Sequence, residues 1–82
     1  VAKNQIENFT MYPNPVTNGQ FVISSKNSFN KQVDIYNMLG KQIYGKTVKI
    51  NETIDVSNLN TGIYLLRVKE VGKLAMRKLV IK

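Results

Sequence analysis

The chain has 82 residues, with twelve Lys and Arg against five Asp and Glu, a formal net charge of +7, and neither cysteine nor histidine. A single domain of this size buries only a little over ~60% of its unfolded surface, so a thin core and modest stability are expected. Without cysteine there is no disulfide framework and no Cys-based zinc site, and without histidine Ser-His-Asp, Cys-His and His-zinc chemistry are excluded.

Period-two alternation of apolar residues runs through the whole sequence, and no helical period persists beyond a turn. Asn8 to Tyr12 reads as a first strand, stopped by Pro13-Asn14-Pro15 because proline has no N–H for a ladder. Val16-Thr17-Asn18-Gly19 reads as a turn, and Phe21 with Ile23 marks one face of a second strand. Ser25 to Asn30 is polar loop chemistry. Val33 and Ile35 alternate with Asp34 and Tyr36 in a third strand, and Met38-Leu39-Gly40-Lys41 turns into a fourth. There Ile43 is expected inward and Gln42 and Tyr44 outward, with Val48 and Ile50 continuing past a bend at Gly45. Ile54 and Val56 mark a short fifth strand, and Tyr64, Leu66 and Val68 a sixth. Glu70-Val71-Gly72-Lys73 reads as a hairpin turn into a seventh strand, Leu74 to Ile81. Leu74 and Met76 are even positions whereas Leu79 and Ile81 are odd, so a bulge is expected near Arg77-Lys78.

Seven strands at about one per twelve residues predict an all-β fold, an immunoglobulin-like seven-stranded antiparallel β-sandwich with Greek-key topology. Residues 1–8 read as a linker leading in and 9–82 as the domain. No signal peptide is recognisable, and the apolar stretch Ile63-Tyr64-Leu65-Leu66 is far short of the roughly twenty residues of a spanning helix. A start at Val1 rather than Met is expected of a piece of a longer protein.

Leu59-Asn60-Thr61-Gly62-Ile63-Tyr64 has the layout of a tyrosine corner, in which the phenol reaches back to an upstream backbone group. From Arg67 to Lys82 six basic residues face one acid, so most of the excess charge falls on the last hairpin. That hairpin is either a solvated face with protective edge lysines or an electropositive recognition surface. Tyr36 and Tyr44, read as outward on neighbouring strands, suggest a stacking pair. No aromatic-rich RNA-recognition motif accompanies them, and the basic residues lie elsewhere, which argues against nucleic acid.

Catalysis finds no support. Glu7, Asp34, Glu52, Asp55 and Glu70 are scattered singly, without the spacing of a catalytic pair, and no glycine-rich phosphate loop exists. Asp55, before Val56-Ser57-Asn58, reads as bonding its own turn. Asn8-Phe9-Thr10 and Asn51-Glu52-Thr53 match the glycosylation sequon, a frequent chance match in a chain with ten asparagines. No cofactor is expected.

Four segments in fixed order carry a resemblance to a known family. They are Tyr12-Pro13-Asn14-Pro15 with Gly19; Val33-Asp34-Ile35-Tyr36-Asn37-Met38-Leu39-Gly40-Lys41; Ile54-Asp55-Val56-Ser57-Asn58-Leu59-Asn60-Thr61-Gly62-Ile63-Tyr64; and Lys78-Leu79-Val80-Ile81-Lys82. Over about seventy residues the chain resembles the type A C-terminal sorting domain of the type IX secretion system of Bacteroidetes.

The resemblance implies a non-catalytic signal that takes a cargo protein from the periplasm across the outer membrane, to the cell surface or the medium. It implies four partners: the type IX translocon, its outer-membrane shuttle protein, a sortase-like cysteine peptidase, and an N-terminal cargo domain in the same chain. Lys78, Leu79, Val80, Ile81 and Lys82 match the segment the family needs for export, and as a basic, apolar last strand they are expected to be accessible, either to pair by strand addition or to present charge to a translocon. Pro13, Pro15, Gly19, Gly40, Leu59, Gly62 and Tyr64 match fold-defining positions, and the cleavage site is expected within or before residues 1–8. Two other classes remain open from the residues alone: an immunoglobulin-like or carbohydrate-binding accessory module that uses Tyr36 and Tyr44, and a spacer that self-associates through its last strand.

Overall fold

A computed structural model describes residues 6, 8–26, 30–49 and 51–82. Seven strands are present among them: β1 (Thr10–Tyr12), β2 (Gln20–Ser24), β3 (Lys31–Tyr36), β4 (Gln42–Val48), β5 (Thr53–Asp55), β6 (Gly62–Glu70) and β7 (Lys73–Ile81). They form two antiparallel sheets, ordered β1-β2-β5 and β4-β3-β6-β7. The chain passes between sheets after β2, β4 and β5, so β2 neighbours β5 and β3 neighbours β6, the non-consecutive pairing of a Greek key.

Local chemistry explains why β4 stays beside β3. The Asn37 carboxamide Oδ1 accepts the N–H groups of Leu39 and Lys41, each at 3.0 Å, while the Asn37 carbonyl accepts from Gly40 at 3.0 Å. Gly40 takes φ +88° there, a conformation that costs an L side chain roughly 1–2 kcal/mol. A turn this tight returns the chain antiparallel to the strand it has just left. Gly19 plays the same part before β2, with φ +73°, and its carbonyl accepts Val56 N–H at 2.8 Å. A Cβ at Gly19 would lie 3.0 Å from that of Ser57, so the approach also needs its missing side chain.

The inner faces meet in one core. Phe21, Ile23 and Ile54 from the small sheet pack against Val33, Ile35, Leu66, Val68, Leu79 and Ile81 from the large one, and all are buried. Each such side chain contributes roughly 1.5–3 kcal/mol by leaving water. The alternation in β2, β3 and β6 therefore reads correctly from sequence.

The last strand corrects the reading. β7 pairs with β6 without interruption from Glu70↔Lys73 to Gly62↔Ile81, so there is no bulge at Arg77-Lys78. Its inward row is odd throughout: Ala75, Leu79 and Ile81 are buried, and Leu74 and Met76 face out. Arg77 fits the inward row because its guanidinium lies over the Phe9 ring, 5.1 Å from the centroid, and donates to the Met76 carbonyl at 2.8 Å. A long basic stem can cover apolar surface at the rim of a core. Apolar character alone was a poor guide to direction here.

The irregularity lies in β4 instead, where the register shifts between Ile35 and Tyr36 so that Ile35 faces Tyr44 and Tyr36 faces Gln42. The extra residue is Ile43. Tyr44 consequently shares a face with Ile35 and packs against the core, while Tyr36 is on the outer face. Burial holds the Tyr44 phenol above its ordinary pKa, an effect offset in part by Lys46. Val48 is fully buried, whereas Ile50 and the middle of the expected polar loop, 27–29, lie outside the described residues.

Candidate recognition surface

Tyr64 opens the corner as the sequence suggests, its hydroxyl donating to the Asn60 carbonyl at 2.6 Å, with Leu59 packed against the core and Gly62 at the head of β6. The Asp55 carboxylate accepts Ser57 N–H at 2.9 Å, and bonds from the Ser57 hydroxyl and backbone hold its pKa below the ordinary value. Glu52 is lowered too, first by the Lys49 N–H at 2.9 Å and then by the Lys46 ammonium at 3.2 Å. These are structural carboxylates in turns, each committed to its own loop.

The terminal segment is part of the core. Leu79 and Ile81 are buried, Val80 is half-buried, and Lys78 and Lys82 are exposed. β7 is the last strand of its sheet, but the edge is taken. Asn14 Nδ2 donates to the Lys78 carbonyl at 3.0 Å and Asn14 Oδ1 accepts from Val80 N–H at 3.1 Å. Val16 continues the ladder, donating to the Val80 carbonyl at 2.7 Å and accepting from Lys82 N–H at 2.8 Å in a parallel bridge. The expectation that residues 78–82 are open to strand addition is therefore corrected: Asn14 and Val16 stand where an added strand would lie.

Pro13 and Pro15 explain why a side chain does this work. Neither has an N–H to give, so the Asn14 carboxamide supplies the donor that the prolines lack, with an acceptor beside it. The sequence carried this signal in the Pro-Asn-Pro triplet, yet it reads there as a strand stop and a family motif, not as a cover for the β7 edge.

A second omission is the buried ion pair Lys31–Glu70, 2.9 Å apart with both side chains almost wholly inaccessible. Ser25 donates to the same carboxylate at 3.1 Å. Period two puts Lys31 in the inward row of β3 and Glu70 in that of β6, and their strands pair at Gln32↔Lys69, one residue away. The pair was legible by register and is hidden by residue type.

The outer face of the large sheet divides in two. On the β4-β3 side, the Asp34 carboxylate accepts from Gln32 and Gln42 on one oxygen and from Arg67 on the other, all at 3.1 Å. On the β6-β7 side Ile63, Leu65, Leu74 and Met76 stand exposed. Between them, Tyr36, Met38, Ile63, Leu65, Met76 and Lys78 line a groove of about 520 Å³. Arg67 closes one wall with its guanidinium 5.2 Å from the Tyr36 centroid. Of the basic hairpin, Arg67, Lys69 and Lys78 belong to this face, Arg77 to the inner one and Lys82 to the end of the chain. The sequence-level cluster is thus split by the sheet.

With Tyr36 and Tyr44 on opposite faces the two do not form a stacking pair, and the accessory-module reading loses the pair that motivated it. Among the described residues no helix is long and apolar enough to cross a membrane, and no cluster of three or more acidic side chains is placed to hold a metal.

Comparison with known proteins decides the family, because residues 10–82 match the secretion system C-terminal sorting domain. The chain belongs to that family. The sorting domain is also similar to ulvan lyase NLR42 of Nonlabens ulvanivorans, with 38% identity over 72 residues, covering 83% of this chain and 13% of that protein. The chain thus spans only a small part of the length of the curated relative it matches. A sorting domain of this kind is a type IX secretion signal: it engages the secretion machinery, directs export to the cell surface or the medium, and is itself non-catalytic.

Proposed function

We propose that the translocon reads the terminal segment through Lys78, Val80 and Lys82, with Leu79 and Ile81 acting only by holding these side chains in place. The observation that carries this reading is the edge closed by Asn14 and Val16: what a partner meets without unfolding β7 is the outward row and the last lysine. The shuttle protein of the outer membrane is the first receptor on this reading. Residues 1–8 would connect the domain to an N-terminal cargo, an enzyme as in the ulvan lyase relative, and a sortase-like cysteine peptidase would act in or before them.

Burial changes how the reading must be tested. Removing residues 78–82 would also remove Leu79 and Ile81, at roughly 2–5 kcal/mol each, from a fold with about 0.05–0.15 kcal/mol of stability per residue. Such a truncation reports unfolding as much as signalling. The informative variant is Val80→Thr with Lys82→Glu in a signal-peptide-bearing fluorescent reporter fused to residues 1–82. It is compared with the unaltered fusion in type IX-competent and translocon-deficient strains. A folded variant that stays in the periplasm while the unaltered fusion is exported supports the reading. Export of the variant at the unaltered level overturns it.

A further inference from the structure

We propose that the groove on the outer face of the large sheet is a second docking site for the secretion machinery, and that its occupant is a protein segment bearing apolar side chains flanked by carboxylates. The proposal rests on the sorting function and extends it beyond the terminal segment to residues of β3, the β3-β4 turn and β6.

The solvent face of an antiparallel sheet is ordinarily polar. Here Ile63, Leu65 and Met76 are 48%, 38% and 45% exposed on neighbouring strands, and Met38, at 73%, overhangs them from the β3-β4 turn. Adjacent exposed apolar side chains with a charged rim mark an interaction site rather than ordinary surface. The wall composition fits as well: Tyr, Met and Arg are the types enriched where proteins dock, and methionine adapts its shape to a partner.

Hydrogen-bonding capacity sets the chemistry of the occupant. Two side-chain acceptors near the groove are already engaged: Asp34 by Gln32, Gln42 and Arg67, and the Asn37 carboxamide oxygen by two backbone N–H groups. The charged groups that line it, Arg67 and Lys78, can only donate. Arg67 Nε is moreover buried without a hydrogen-bond partner. An occupant must therefore bring acceptors as well as apolar groups. A neutral sugar, which needs donors and acceptors along its length, is a poor match for this lining. Lys69 flanks the same face, so the charge there is positive even after Arg67 and Asp34 offset each other.

The test uses Leu65→Thr with Met76→Thr in the reporter fusion, leaving residues 78–82 unaltered. Threonine suits an exposed strand position, and thermal unfolding checks that the fold is retained. Val71→Ser, which removes an exposed apolar side chain from the β6-β7 turn instead, is the matched control. We expect translocon-dependent export to fall at least tenfold in the groove variant and to be unchanged in the control. Binding of the unaltered fusion to outer-membrane vesicles from translocon-bearing cells should weaken several-fold from 50 to 300 mM NaCl, as the Debye length shortens from about 14 to 6 Å.

Full export of a folded groove variant overturns the proposal and leaves the sorting function standing. Retention of the unaltered fusion in both strains would remove the sorting function and the groove proposal together. Salt-insensitive binding overturns the carboxylate element. A doubling of mass with concentration, abolished by the groove substitutions, would make the occupant a second copy of the chain. Equal binding to protein-free anionic vesicles would make it a lipid surface, and either result overturns the proposal.

Discussion

The two halves of the outer face of the large sheet solve the same problem in opposite ways. On β3 and β4, the buried Asp34 carboxylate gathers Gln32, Gln42 and Arg67, and its two oxygens are engaged within the sheet itself. On β6 and β7, Ile63, Leu65, Leu74 and Met76 are left exposed among the described residues. A surface that satisfies itself needs no partner, whereas exposed apolar area gains free energy only when something else covers it. The β3-β4 half thus serves stability, while the β6-β7 half supplies much of the groove proposed for recognition.

The contrast is sharpest inside the sandwich, where Lys31 and Glu70 form the extreme case of self-satisfaction. Glu70→Ala removes the carboxylate 2.9 Å from a buried ammonium and should cost about 3–5 kcal/mol. Lys31→Met with Glu70→Leu should be near neutral by comparison. Urea unfolding of the three proteins checks both, and a mild Glu70→Ala would show that the pair is hydrated.

Across the outer face, Asp34→Ala should destabilise by about 1–3 kcal/mol, because it strands donors on three side chains. Met76→Thr, on the other half, should change stability by no more than about 0.5 kcal/mol. Equal effects in denaturant would erase the distinction between the halves.

The edge of β7 repeats the theme. Asn14→Ala uncovers the Lys78 carbonyl and the Val80 N–H, at about 1 kcal/mol, and opens that stretch of edge to another chain. Light scattering over a concentration series should then show dimers that the unaltered protein does not form. A variant that remains monomeric would mean that Val16 alone closes the edge.

Val71 marks a local compromise in the β6-β7 turn, outside the groove. A β-branched residue at φ +43° in the exposed β6-β7 turn is strained, and Val71→Asn should raise stability by about 1 kcal/mol, read as a higher melting temperature.

Acid should act on the self-satisfied turns and spare the apolar half. Glu52 and Asp55 have folded pKa values below their ordinary ones, so the unfolded chain takes up protons first as pH falls. Their contribution is present above the ordinary carboxylate range and is lost as pH drops below it, from roughly pH 5 downward. Unfolding midpoints at pH 7 and pH 3 should differ less in Glu52→Gln than in the unaltered domain.

Much of the fold was written in the chain because it depends on local pattern. Period two located the strands, Pro13-Asn14-Pro15 and Gly40 placed a stop and a turn, and Leu59 to Tyr64 gave the corner. These features act over a few residues, so sequence proximity suffices to see them. The resemblance carried by the same segments also named the family.

What the sequence did not decide was which way a side chain faces when polarity and position disagree. Leu74 and Met76 are apolar and face out, while Lys31 and Arg77 are basic and face in. Their directions follow from the register of the whole sheet, fixed by the many buried residues that agree, and the two inward basic residues are accommodated by Glu70 and Phe9, far along the chain. The same holds for the terminal segment. Its residues were legible as a motif, but that Leu79 and Ile81 belong to the core, and that Asn14 closes the edge beside them, depends on contacts between residues more than sixty positions apart. Only the folded chain brings such residues together.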